Sequence, residues 1–88
     1  MPSQEFLNAV DKVNKLTKRP SDDELLELYG LYKQATIGDN ETPKPAIYDL
    51  KGKYKWNAWN ELQGTSQEEA EKKYIELVEK ISARLAAE

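Results

Sequence analysis

Ser66-Gln67-Glu68-Glu69-Ala70-Glu71-Lys72-Lys73-Tyr74-Ile75-Glu76-Leu77-Val78-Glu79-Lys80-Ile81-Ser82-Ala83-Arg84-Leu85 carries the clearest periodicity in the chain. Ala70, Tyr74, Leu77, Val78, Ile81 and Leu85 recur at three- and four-residue steps for about five turns, which makes one apolar stripe of an amphipathic helix. Thr65 with Glu68, and Ser66 with Glu69, offer overlapping capping boxes at its start. The rest of the chain follows the same grammar. Phe6, Ala9, Val10, Val13 and Leu16 give a first helix from about Gln4 to Leu16, closed by Pro20. Ser21 and Glu24 form a capping box for a second, and Asp22 and Asp23 suit the positive end of its dipole. Leu25, Leu28, Tyr29 and Tyr32 follow as a stripe widened by Leu26 and Leu31, with Gly38 as C-terminal punctuation. Residues 39–49, with Pro43 and Pro45, read as a long surface loop. A third helix runs from about Lys51 to Leu62, with Trp56, Trp59 and Leu62 as its buried face and Gly64 after it. No segment alternates as a strand. The expected fold is all-α, a four-helix bundle with a long loop between helices 2 and 3.

Composition narrows the function. The 88 residues suit one domain. There is no cysteine and no histidine, which removes thiolate chemistry, the commonest general base and the commonest metal ligand. The serines therefore lack a histidine to activate them. The glycines at 30, 38, 52 and 64 are too far apart for a phosphate-cradling loop. We expect no enzyme, no cofactor and no metal site. Thirteen basic and sixteen acidic residues give a net charge of −3, which argues against a nucleic-acid partner. No apolar run is long enough to span a membrane. Residues 1–5 lack the basic and apolar regions of a signal peptide, so the expectation is a cytoplasmic protein without stable membrane insertion.

Polar aromatics and lysines are the informative residues. Tyr29, Tyr32 and Lys33 fall at i, i+3, i+4 on one helix face, offering rings to stack a base and a cation to meet a phosphate. Lys51, Lys53 and Lys55 make a basic island near the start of helix 3, where an anion would also meet the helix dipole. Trp59 suits the core, and Tyr74 lies on the helix 4 stripe with its hydroxyl at the rim. A polyanionic small ligand and a protein-docking face on helix 2 are the two readings this pattern leaves open.

Two stretches then resemble a known family. Residues 29–39, Tyr-Gly-Leu-Tyr-Lys-Gln-Ala-Thr-Ile-Gly-Asp, and residues 51–60, Lys-Gly-Lys-Tyr-Lys-Trp-Asn-Ala-Trp-Asn, are similar to the signature of the acyl-CoA-binding proteins. The match continues through Gly64-Thr65-Ser66 and Lys73-Tyr74-Ile75 and covers essentially the whole chain, residues 1–88, as one acyl-CoA-binding domain. The resemblance implies an up-down-down-up bundle that binds long-chain fatty acyl-CoA thioesters, buffers them and delivers them transiently to acyl-CoA-using enzymes. It implies ligand contacts from Tyr29, Tyr32, Lys33, Lys55 and Tyr74. Weaker candidates are Asn14, Leu25, Leu26, Gly30, Leu31 and Lys51. Asn14 stands where many members carry a lysine, and Tyr54 where some carry a small residue.

Overall fold

The computed structural model describes residues 2–88. Among the described residues four helices form, α1 (Gln4–Asn14), α2 (Asp22–Thr36), α3 (Leu50–Asn60) and α4 (Gln67–Ala87). Among the described residues there is no strand. Local chemistry explains the boundaries. Ser3, Ser21 and Ser66 each accept from a backbone N–H in the first turn that follows. At Ser21 the return bond from its own N–H to Glu24 closes a full capping box. Only Ser66, of the two candidates before α4, is the cap. Helix α1 stops at Asn14, two residues before the expected end, because the Lys15 N–H folds back onto Asp11 and Lys12 carbonyls in a tightened last turn. Leu16 still packs on the core.

The directions follow from which residues meet. Ser3 reaches Glu71, Phe6 meets Tyr74, and Lys18 reaches Leu85, so α1 and α4 run parallel. Glu24 pairs with Arg84, Tyr32 meets Tyr74, and the Ala35 carbonyl accepts from Gln67, so α2 and α4 run antiparallel. Lys33 stands over Trp59 while Leu26 and Tyr54 share a groove, so α3 runs parallel to α2. The order is therefore up-down-down-up. Among the described residues the helix backbones pair as a row, α1–α4–α2–α3, and α1 meets α2 through side chains, Phe6 against Tyr32.

Phe6, Leu28, Leu31, Ala35, Ala70, Tyr74, Val78, Ile81 and Leu85 make the shared core of α1, α2 and α4. Helix α3 sits outside it and is held by two devices. The first is a close approach at Gly30, where an added Cβ would stand 2.5 Å from the Ala58 carbonyl oxygen. A Gly30→Val variant is expected to lose about 1–3 kcal/mol by overpacking, read as a lowered urea midpoint. The second is a polar knot that ties down the long loop. The fully buried Gln34 donates to Asp39 (2.9 Å) and to the Thr65 carbonyl (2.7 Å), while Asp39 also accepts from the Gly64 N–H (2.9 Å). The Trp59 indole donates to the Gly38 carbonyl (2.8 Å), the Trp56 indole to Thr42 (3.1 Å), and Gln63 to Asn40 (2.8 Å).

These bonds hold the Asp39 carboxyl below its usual range, first through the Gly64 N–H and then through Gln34. A depressed carboxylate adds stability that is complete above its unfolded pKa and lost as pH falls through its folded value. Glu24 is lowered too, mainly by its bond to the Ser21 backbone. Both carboxylates therefore shape the acid limb of unfolding. Asp39→Asn is expected to reduce stability at neutral pH and to flatten that limb, while Glu24 keeps part of the slope. A pH series of thermal midpoints checks this.

Candidate functional site

One face of α2 and the facing edge of α3 gather the expected residues. Tyr29 is half-buried at the centre. Lys33 Nζ lies 5.8 Å from its ring centroid and Lys55 Nζ lies 5.2 Å from the same centroid. Lys33 also stands 5.7 Å from the Trp59 ring. Two ammonium groups thus converge on one tyrosine, one carried by each of two parallel helices. Among the described residues no carboxylate pairs with either. Like charges repel, so two unpaired ammoniums beside one ring favour an anion that can meet both. The rings partly compensate, at about 0.5–1 kcal/mol for each exposed cation–π contact.

Tyr32 and Tyr74 gather around Phe6 of α1. Phe6 underlies both. It stacks on Tyr32 at 6.0 Å and meets Tyr74 edge-on at 5.0 Å, while the two tyrosines stand 6.4 Å apart. Tyr32 is 40% exposed and Tyr74 only 4%. Burial, with a smaller contribution from Tyr32, pushes the Tyr74 phenol above its ordinary value, so it stays a neutral hydrogen-bond donor. The outcome is a platform with an exposed ring at the rim and a buried phenol behind it.

An apolar trough of about 610 Å³ opens beside Lys55 along the α2–α3 seam. Leu26, Tyr54 and the Lys51 stem line it, and Asp22 and Asp23 stand at its far end. Asp22 is paired with Arg19 at 2.8 Å. A second groove of about 740 Å³ lies between α3 and α4, floored by Leu31, Ala58, Leu62 and Leu77, and it shares Leu26 and Tyr54 with the first.

The remaining candidates are placed less directly. Leu25 is half-buried on α2. Gly30 is buried against the Ala58 backbone and Leu31 is 3% exposed in the core, so both shape the site through packing and neither joins the Tyr29–Lys33–Lys55 group. Asn14 is the exposed last residue of α1, and no hydrogen bond ties its side chain to the cluster. The positive end of α3 is also not open to an anion as the spacing had suggested. The Asp49 carboxylate occupies it, accepting from the Gly52 N–H at 3.0 Å.

Sequence reading missed three contributors. Trp59 was assigned to the core, and it is buried, yet its ring also backs Lys33. Gln34 and Asp39 were seen only as signature letters. They anchor the loop that fixes Trp59, and a glutamine with an acid five residues on is the trace they leave in the sequence.

Comparison with known proteins fits this geometry. The family model described as acyl-CoA-binding protein matches residues 3–78. An acyl-CoA-binding protein homolog of Drosophila melanogaster is 56% identical over 98% of this chain and 100% of its own length. The acyl-CoA-binding protein of Saccharomyces cerevisiae is 54% identical over 99% of this chain and 100% of its own. Among solved structures, acyl-CoA-binding protein 2 of Oryza sativa superposes with a TM-score of 0.90 at 42% identity, covering 96% of this chain and 93% of that one.

Proposed function

The chain belongs to the acyl-CoA-binding protein family, and from that premise we propose that it binds long-chain fatty acyl-CoA thioesters and acts as their carrier and buffer. What supports the reading above all is the pair of unpaired ammoniums on Lys33 and Lys55, set over one tyrosine at the mouth of an apolar trough. Coenzyme A is a polyanion and the protein is net acidic, so a local cation pair has to hold it. Lys33 and Lys55 donate charge-assisted hydrogen bonds to the phosphates. Tyr29 and Tyr32 give the adenine a π-surface, and the Tyr74 hydroxyl serves the polar rim behind them. The acyl tail lies along Leu26, Leu25, Tyr54 and the Lys51 stem. Asn14 adds at most a neutral hydrogen bond.

No group in this arrangement is asked to break a bond. The protein binds a thioester and shields it. A cytoplasmic monomer that meets acyl-CoA-using enzymes transiently completes the reading.

Titration calorimetry tests it. Palmitoyl-CoA is expected to bind one to one. Free CoA, lacking the tail, and palmitate, lacking the head group, are expected to bind far more weakly. Each methylene admitted to the trough gains up to about 0.8 kcal/mol, reduced by the cost of ordering the tail. Affinity should therefore climb from hexanoyl- to palmitoyl-CoA, and a flat series would overturn the trough assignment.

A further inference from the structure

Among the described residues Leu7, Tyr32, Ile37 and Tyr54 are exposed outside the loop tip, while the two most exposed large apolar side chains stand side by side at it. Ile47 is 84% exposed, Tyr48 87% and Leu50 59%, three within four residues at the tip where the long loop enters α3. Isolated exposed apolar residues are ordinary, whereas a contiguous set marks an interaction surface. The tip is built to present them. The Asp49 N–H donates to the Ala46 carbonyl at 2.9 Å, which closes a turn with Ile47 and Tyr48 at its two central positions. The Asp49 side chain is turned back onto the Gly52 N–H. Ile47 and Tyr48 are thereby held outward, although burying either elsewhere would stabilise the fold.

Charge says what covers the tip. Residues 41–55 carry Lys44, Lys51, Lys53 and Lys55 against Glu41 and Asp49, a basic stretch in an acidic protein. Asp49 is already engaged as the α3 cap. Across the trough stand Asp22, paired with Arg19, and Asp23. Apolar side chains on an exposed turn, flanked by lysines, fit a deformable anionic surface. We propose that the Ile47–Leu50 tip docks the protein reversibly on anionic lipid bilayers, with Ile47, Tyr48 and Leu50 entering the headgroup boundary and Lys44 and Lys53 meeting lipid phosphates and carboxylates. Leu50 adjoins Lys51, which lines the trough, so docking brings the Lys51 end of the trough to the interface where an acyl tail leaves the bilayer. That last consequence rests on the carrier reading. The docking itself does not.

The test uses the full, ligand-free chain with phosphatidylcholine vesicles, with and without phosphatidylserine. Because the chain has no cysteine, Ala46→Cys can carry a single environment-sensitive fluorophore, and Glu68→Cys at the opposite end of the molecule serves as control. With anionic vesicles the fluorophore at 46 is expected to brighten and shift to the blue while that at 68 stays unchanged. Ile47→Asp is expected to weaken flotation by roughly tenfold to a hundredfold, the worth of burying an isoleucine. Lys44→Glu is expected to cost at least about fivefold on anionic vesicles and little on neutral ones. These positions are exposed, so circular dichroism should be unchanged. No flotation, flotation indifferent to Ile47→Asp, or a response at 68 in place of 46 would overturn the proposal. Equal binding to neutral vesicles would overturn the part given to the lysines. Loss of palmitoyl-CoA binding in calorimetry bears on the carrier reading alone, because the vesicles contain no acyl-CoA.

Discussion

Lys55→Ala is expected to bind palmitoyl-CoA roughly ten- to a hundredfold more weakly than the parent chain, the value of a charge-assisted hydrogen bond lost to a ligand phosphate. Fold stability should barely move. Lys55 forms no ion pair among the described residues, and its cation–π contact with Tyr29 at 5.2 Å is worth less than about 1 kcal/mol. Affinity and stability therefore separate in this variant, which is the mark of a ligand contact. Calorimetry and thermal unfolding of the same sample decide it. Affinity within twofold of the parent would remove Lys55 from the site. Lys33→Ala is a less clean probe, since Lys33 covers two rings and its loss also uncovers Trp59.

Phe6→Ala is expected to have the opposite signature, a loss of about 3–5 kcal/mol in stability. Phe6 is fully buried, so truncation leaves a cavity between α1, α2 and α4. An 88-residue domain at the usual ~0.05–0.15 kcal/mol per residue has about 4–13 kcal/mol in all, so this is a large share of it. The ring also supports Tyr32 and Tyr74, so affinity should fall together with stability. Urea unfolding checks the first effect. Phe6→Leu, which fills most of the space, should recover much of the stability but not the edge-on contact to Tyr74. A loss under 1 kcal/mol in Phe6→Ala would mean that α1 packs without it.

How much of this was legible in sequence depended on the range of the interaction. Capping at Ser21 and the stripe from Ala70 to Leu85 are local, and both read correctly. The grouping of Tyr29, Tyr32 and Lys33 needs only helical spacing. Lys55 is different. Nothing in periodicity brings it over Tyr29, because that depends on α3 running parallel to α2, and a loop of this length permits other directions. The resemblance supplied what spacing could not. The α3 dipole was misjudged because Asp49 looked like the end of a loop and is in fact a cap. The end of α1 was misjudged because Leu16 continues the apolar stripe after the helix itself has tightened and stopped. Gly30 looked like a member of a binding signature, and its reason is a helix–helix approach closer than a methyl allows. Signature letters mix residues that touch a ligand with residues that position those that do, and only three-dimensional neighbours sort them.

The parallel pairing of α1 with α4 has a kinetic consequence. Phe6 and Tyr74 are 68 positions apart, so the first contact between these helices closes a loop containing most of the chain. Closure of that length costs roughly 4 kcal/mol of chain entropy before any packing repays it. Helices alone form in about a microsecond, and α2 can find α3 or α4 over shorter separations. The docking of α1 on α4 therefore carries the largest loop-closure cost of the three helix pairings. A ribosome releases residues 4–14 before residues 67–87, so α1 waits for the α4 surface that covers Phe6, Val10 and Val13.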